Sequence, residues 1–363
     1  MFNRTVSIIA ALLIIYTCSA QTLVNNYENP IYTALPFLRL SADARMSGMG
    51  DAGVAAMHVN GIYSNAAGNV FRENASALSL NYKSTGSRFV SLSGYHKFKE
   101  KNVFSGGLRY NNLGNSTYAT ASGMQTVGSY EFSVDASYSR KLHERLSVGT
   151  TLKYFYSKIS EGMIINGLEM SPVSGIAGDI SCLYSNKDIT LNSKPAEFSF
   201  GINISNLGNE VTYTSAIYAL PIPSNLGIGI ALKSQFNEMN NITFALDFNK
   251  LLVPTINYID QSVFHGMVHS FNDAPGGFSE ELKEITIAAG AEYVYNDLVF
   301  LRTGLFYENP DKGPRKYFTA GAGIKYRDVQ LDVAYRFFNN TQAVVAEKVL
   351  SLSLSYLFGG VEN

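Results

Sequence analysis

The residues best equipped for chemistry are a glycine-rich run near the N-terminus and a spaced histidine pair. Gly48-Met49-Gly50-Asp51-Ala52-Gly53 matches G-x-G-x-x-G, and Glu73 follows at roughly the distance where a dinucleotide fold holds its ribose-binding carboxylate. That fingerprint works only where a buried parallel strand delivers the loop to a helix, and no such α/β pattern surrounds it. The glycines read instead as a tight turn against a wall. His265 and His269 stand four apart, but no carboxylate or cysteine accompanies them in fixed register, so they read as ordinary loop histidines. G-x-S-x-G, H-E-x-x-H and P-loop patterns are missing from the sequence. Serines and histidines are scattered, so their order neither builds nor excludes a hydrolase triad. No enzyme activity, catalytic residue, metal or cofactor is expected; the chain should act by binding partners.

The elements that would position any site follow one rule from about residue 76 onward. Stretches of about 9 to 14 residues alternate apolar with polar or small side chains and then break at a turn. Phe198, Phe200, Ile202 and Ile204 share one face, while Glu197, Ser199, Gly201, Asn203 and Ser205 share the other. The same split predicts strands near 76–84, 87–98, 101–112, 130–141, 145–158, 173–186, 196–206, 224–237, 239–250, 284–296, 297–308, 315–327, 328–339 and 346–358. The apolar face carries no charge, whereas the opposite face holds Arg109, Lys153, Lys233, Arg302, Lys325 and Arg336 beside Asp135, Asp179, Glu197, Asp247, Glu292 and Asp332. A soluble sandwich would bury its oily face and keep charge outside. A lipid-facing oily band with a charged interior is the pattern of an all-β transmembrane antiparallel barrel, of about fourteen strands, in an outer membrane.

Links between these strands support this. Long ones, 111 to 129, 159 to 172, 207 to 223 and 251 to 283, alternate with tight ones such as Asn296-Asp297 and Arg327-Asp328. Long loops outside and short turns inside place both termini in the periplasm. Lys187 to Pro195 is the one short-side link longer than the rule predicts. The 251 to 283 link carries Asp273, Pro275, Gly276, Gly277 and Phe278, a restricted bend with an aromatic tip suited to a partner.

Residues 1–20 read as a signal peptide, with Arg4, an apolar run from Ile8 to Tyr16 and a small-residue site at Cys18-Ser19-Ala20. Lipidation of Cys18 is the alternative. After cleavage only Cys182 remains, which rules out an intrachain disulfide. Residues 21–75 do not alternate and are rich in Gly, Ala, Met and Asn, as an N-terminal periplasmic segment or a plug of the lumen would be; the barrel spans 76–358 and a tail 359–363. With 28 basic and 29 acidic side chains the chain has no global field that would draw nucleic acid.

The sequence "LSADARMSGMGDAGVA" (Leu40 to Ala55), which contains Asp43, Arg45, Gly48, Gly50, Asp51 and Gly53 as a plug motif, resembles the PorV family of the type IX secretion system. So do "YEFSVDASYSRKLHERLSVG" (Tyr130 to Gly149), "FSFGINISNLG" (Phe198 to Gly208), "DFNKLLVPT" (Asp247 to Thr255), "FNDAPGGFSEELKEI" (Phe271 to Ile285) and "GPRKYFTAGAGIKY" (Gly313 to Tyr326). This group is similar to FadL-type barrels. "YSNAAGNV" (Tyr63 to Val70) departs from the family's Trp-Asn-Pro-Ala type turn, and Thr341 to Lys348 is unusual, which leaves open a divergent paralogue with fewer cargoes. The resemblance implies an integral outer-membrane carrier without catalysis. Its partners would be the translocon barrel, cargo proteins with C-terminal secretion domains, a sortase-like attachment complex and outer-membrane lipid. A FadL-like transporter of hydrophobic small molecules is the alternative.

Overall fold

The computed structural model describes residues 29–120, 123–159, 161–165, 168–214, 219–255, 263–313, 315–338 and 349–359. The expected signal peptide, the Cys18 site, Thr341 to Lys348 and tail residues 360–363 lie outside the described residues. Sixteen strands occur among these: β1 (Ser76–Ser84), β2 (Arg88–Phe98), β3 (Asn102–Thr120), β4 (Gly123–His143), β5 (Leu146–Lys158), β6 (Ile164–Ile165), β7 (Leu168–Glu169), β8 (Val173–Leu191), β9 (Lys194–Gly208), β10 (Asn225–Asn237), β11 (Asn240–Leu251), β12 (Thr286–Tyr295), β13 (Val299–Tyr307), β14 (Lys316–Tyr326), β15 (Val329–Phe338) and β16 (Val349–Phe358). Fourteen form a closed antiparallel barrel, each pairing with its neighbour in sequence and β16 returning to β1, while β6 and β7 make a separate small hairpin. The seam runs in register from Ser76 opposite Phe358 to Ser84 opposite Leu350.

Alternation sets the two faces. Along β16, Leu350, Leu352, Leu354, Tyr356 and Phe358 point out and are exposed, while Ser351, Ser353 and Ser355 are buried. Ile228 and Ile230 of β10, Phe244 and Phe248 of β11 and Leu331 and Val333 of β15 repeat the outward row. So many bare apolar side chains on one continuous belt are stable only against lipid. Inside, Arg109, Lys153, Asp135, Asp179, Asp247, Glu292, Arg302 and Asp332 are all buried. All but Asp247, which accepts backbone N–H groups instead, are ion-paired at this low exposure, such as Arg109 with Asp135 at 3.3 Å and Lys153 with Asp179 at 2.7 Å.

Four links differ from the sequence reading, the 159 to 172 link because it holds the β6–β7 hairpin. The 111 to 129 link is mostly strand, because β3 and β4 continue as a hairpin paired out to Thr120 and Gly123. Lys187 to Pro195 is not a long link, since β8 and β9 run on to a turn at Asn192-Ser193, both with positive φ (51° and 61°). That is the twist a two-residue hairpin needs. The 251 to 283 link carries two helices, α2 (Val263–His269) and α3 (Phe278–Lys283).

Residues 29–75 cross the barrel's interior. They hold 3-10 turns at Pro36–Arg39, Gly61–Tyr63 and Ala66–Phe71 and one helical turn, α1 (Ala44–Gly48). Their polar groups bond to inward residues around the wall: Ala44 N–H donates to Ser353 Oγ of β16 (2.8 Å), Gly53 and Val54 N–H to Asp247 Oδ2 of β11 (2.6 and 2.8 Å), and Ala67 N–H to Ser181 Oγ of β8 (3.3 Å). Backbone approaches this close require missing side chains. Gly50 has φ +69°, and a Cβ there would lie 2.6 Å from Leu305 N; one on Gly304 would lie 2.1 Å from Gly50 N. Gly304→Val should therefore push the segment off the wall. We expect a loss of roughly 1–3 kcal/mol, read as a lower midpoint for heat-induced loss of the compact gel band. An unchanged midpoint would show that the segment does not press on β13.

Candidate functional site

Two features converge on the long-loop end, and a third is bonded to the wall within the barrel. The first is the link after β11. Lys250, the penultimate residue of that strand, shares the row of Phe244 and Phe248 and reaches Glu281 Oε2 (2.8 Å) and Glu284 Oε2 (2.5 Å). Lys312, from the β13–β14 link, reaches Glu280 Oε1 (2.5 Å) and Glu284 Oε1 (3.1 Å). The three glutamates lie on or beside α3, so two lysines tie that helix to the end of β11 and to the β13–β14 link. The same carboxylates order the bend before it: Glu281 Oε1 accepts from Asp273 and Ala274 N–H (2.8 and 2.9 Å), and Glu280 Oε2 accepts from Gly276 N–H (2.6 Å). Burial raises the Glu280 pKa, but the bonds from Lys312, Asn29 and Gly276 outweigh it and bring it down to about 2. For Glu281 too, burial is overcome, by Lys250 and the two amides, and the net direction is down. Asp273 goes the other way, because burial exceeds its bond from Thr255 N–H.

The bend therefore presents its outer side by construction. Asp273 is buried as a brace, while Pro275, Gly276, Gly277 and Phe278 are exposed. Gly277 has φ +69°, a conformation that glycine alone adopts freely, and it aims Phe278 outward, 76% exposed. Phe264 (77%), Val268 (59%), Phe271 (50%) and Leu282 (52%) are also exposed on this link. Sequence reasoning singled out Phe278 but missed its companions and the lysine clamp, whose carboxylate partners lie 31 and 34 residues from Lys250.

The second feature is a cavity of about 610 Å³ at the same end. Leu35, Phe37, Leu113, Ile159, Met170 and Leu220 line it. Leu35 is buried at 1% exposure with φ +53°, a strained backbone for leucine that costs about 1–3 kcal/mol and persists only where the surroundings enforce it. Glu131 gives the cavity one polar end, accepting from Asn111 Nδ2 (3.1 Å) and Ser157 Oγ (3.0 Å).

The third is the glycine-rich segment inside the barrel. Asp43 caps α1, accepting from Met46 N–H (2.6 Å), and its Oδ2 also meets His58 Nδ1 (2.9 Å) and Asn60 Nδ2 (2.8 Å). Burial pushes its pKa up, but His58 and these donors more than offset it, and the carboxylate sits well below its ordinary range. His58 Nε2 lies 2.6 Å from Ser64 Oγ, so Ser64, His58 and Asp43 stand in the order of a hydrolase triad. Ser64 is only 7% exposed and the Asp43 oxygen is shared with Asn60, so the chain of bonds braces the segment. Arg45 forks onto Glu292 (2.9 and 2.8 Å), Glu292 takes Arg302 (2.6 Å), and Arg302 takes Asp332 (2.6 Å). Burial lowers the Arg45 pKa, yet Glu292 dominates and the net shift is upward. Asp51 meets Arg336 (2.8 Å) and the Tyr317 hydroxyl (2.5 Å), and Thr319 Oγ1 bridges Gly48 O (2.9 Å) and Gly50 N–H (3.0 Å). Gly53 completes the set through Asp247. The glycine-rich run is thus bonded to the wall by its neighbours, with no open cradle for a phosphate.

Among the described residues no helix is long and apolar enough to cross a membrane, and no group of three or more His, Cys, Asp or Glu side chains could hold a metal. A family model described as "Type IX secretion system protein PorV" matches residues 23–258. No curated protein matches the sequence. Among solved structures, the Pseudomonas putida toluene transporter TodX is 12% identical with a TM-score of 0.52, covering 88% of this chain and 98% of its own. A TodX variant described as a monoaromatic hydrocarbon channel is 14% identical with a TM-score of 0.54, covering 86% of this chain and 98% of its own. These likenesses establish the barrel architecture.

Proposed function

The chain belongs to the PorV family of type IX secretion proteins, an outer-membrane barrel with a role in that system, and from this premise we propose that it is a non-enzymatic carrier of protein cargo. In this reading it associates with the translocon barrel and binds the C-terminal secretion domain of exported proteins. It then passes them to the sortase-like surface attachment complex. The loop end faces outward and both termini are periplasmic. The observation that carries the reading is the exposed apolar surface of the 252–285 link, held in shape by Lys250 and Lys312. Large apolar groups on a fixed bend are the usual anchors of protein recognition.

A second reading rests on the apolar cavity: a FadL-like transporter of hydrophobic small molecules. One replacement separates the two. Changing Pro275–Gly276–Gly277–Phe278 to Gly-Ser repeats should leave the barrel assembled, judged by its compact gel band, while recovery of the translocon barrel and of a cargo C-terminal domain falls about tenfold or more. Recovery at wild-type yield would sink the carrier reading for this surface and turn attention to the cavity.

A further inference from the structure

One side-chain cluster on the outer link is used by neither reading. His265 and His269 lie one turn apart on α2 and both are exposed. Their Nε2 atoms are 2.9 Å apart, while their ring centres are only 4.0 Å apart and the planes are inclined by 39°. An end-on N–H···N bond places each ring behind its own nitrogen, so the centres would be farther apart than the nitrogens by nearly a ring diameter. The observed difference is about half of that. The rings lean over one another, with the two Nε2 atoms closer together than the ring centres.

We propose that His265 and His269 form a bidentate site for a divalent transition-metal ion of the copper–nickel class. An ion at about 2.0–2.1 Å from both nitrogens would see them at an angle of roughly 90°. That is the angle between adjacent ligands of a tetragonal or square-planar site, narrower than a tetrahedral zinc site adopts. The pair is held ready for it. Gly266 lets α2 sit on Pro254, where a Cβ would be 3.0 Å from Pro254 Cγ; Met267 is buried; and Ser270 Oγ donates to Met267 O at 2.7 Å. The inner face of the helix is thus fixed and its histidine face is turned out. The two rings fill adjacent positions of such a site and leave others for further ligands. The ion would then be a removable link on the same surface that carries Phe264 and Val268. The site depends on neither functional reading.

Untagged full-length protein in detergent, titrated with Cu²⁺ by calorimetry and followed by electron paramagnetic resonance, tests the proposal. The expected result is one Cu²⁺ per chain above background, with a tetragonal spectrum showing nitrogen ligation. His265→Ala and His269→Ala should each weaken binding by about tenfold or more, and His96→Ala and His143→Ala should leave it unchanged. All variants should keep the compact gel band, so that loss of binding is not loss of fold. Absence of Cu²⁺ binding by the wild-type protein, or an identical spectrum and affinity in the His265→Ala/His269→Ala double variant, overturns the proposal.

Discussion

Glu292→Ala is expected to lower the barrel's resistance to unfolding by about 3–5 kcal/mol, because it strips the shared carboxylate from two guanidiniums at once. Arg302 is fully buried, with Glu292 at 2.6 Å on one side and Asp332 at 2.6 Å on the other. Arg45, from the interior segment, loses its forked bond in the same substitution. The remaining buried positive charge has Asp332 alone to answer it. The change should appear as a markedly lower temperature for loss of the compact band, with Glu292→Gln intermediate because the amide still accepts one bond. Protease access to residues 29–75 should rise in parallel, since the Arg45 fork is what ties α1 to β12. A midpoint equal to wild type would mean that the interior ion network contributes nothing measurable.

The second large effect lies on the opposite face. Ile230 is the middle of the outward row on β10, 42% exposed between Ile202-facing Ile228 and Leu232. Ile230→Arg should impair assembly by about 2–4 kcal/mol if the position lies near the centre of the bilayer. Lys233→Ala is the control: Lys233 stands opposite Glu197 on the inward row near the strand's end, where water reaches it. Membrane yield of the folded form is the measurement. Equal tolerance of both substitutions would place the lipid on the wrong face of β10.

These two substitutions mark what could and could not be read from the sequence. The row through Ile228 and Ile230 is visible because lipid demands an unbroken apolar alternation, and each of the fourteen barrel strands carries some version of it. Strand ends were misjudged where that demand stops. Along Asn112–Tyr118 and again at Lys187–Leu191 both faces are wet, so the alternation fades although backbone pairing continues. The Arg45–Glu292 fork and the Asp51–Arg336 pair join residues 247 and 285 positions apart, and no local pattern announces them. The loop clamp is hidden for the same reason. Glu280, Glu281 and Glu284 look like an ordinary acidic face until Lys250 and Lys312 are seen beneath them. Within the same link, the histidine spacing was plain, but only the fold shows that α2 turns both rings to one side.

The seam between β1 and β16 has a consequence for the order in which the molecule is made. Ser76 meets Phe358 only after every intervening strand has been laid down, so the last-synthesised strand completes the ring. The interior segment precedes β1 in the chain, yet Ala44 N–H bonds to Ser353 on β16 and Lys83 on β1 donates to Ser41 at 2.7 Å. At Gly50 segment and wall lie so close that a Cβ would fall 2.6 Å from Leu305 N and 2.7 Å from Ala289 O. The segment is thus bonded to both strands that meet at the seam. Closing the seam and seating the segment are therefore coupled through contacts as far apart in sequence as Ala44 and Ser353, 309 positions, the kind of non-local pairing that costs loop-closure entropy before it is rewarded.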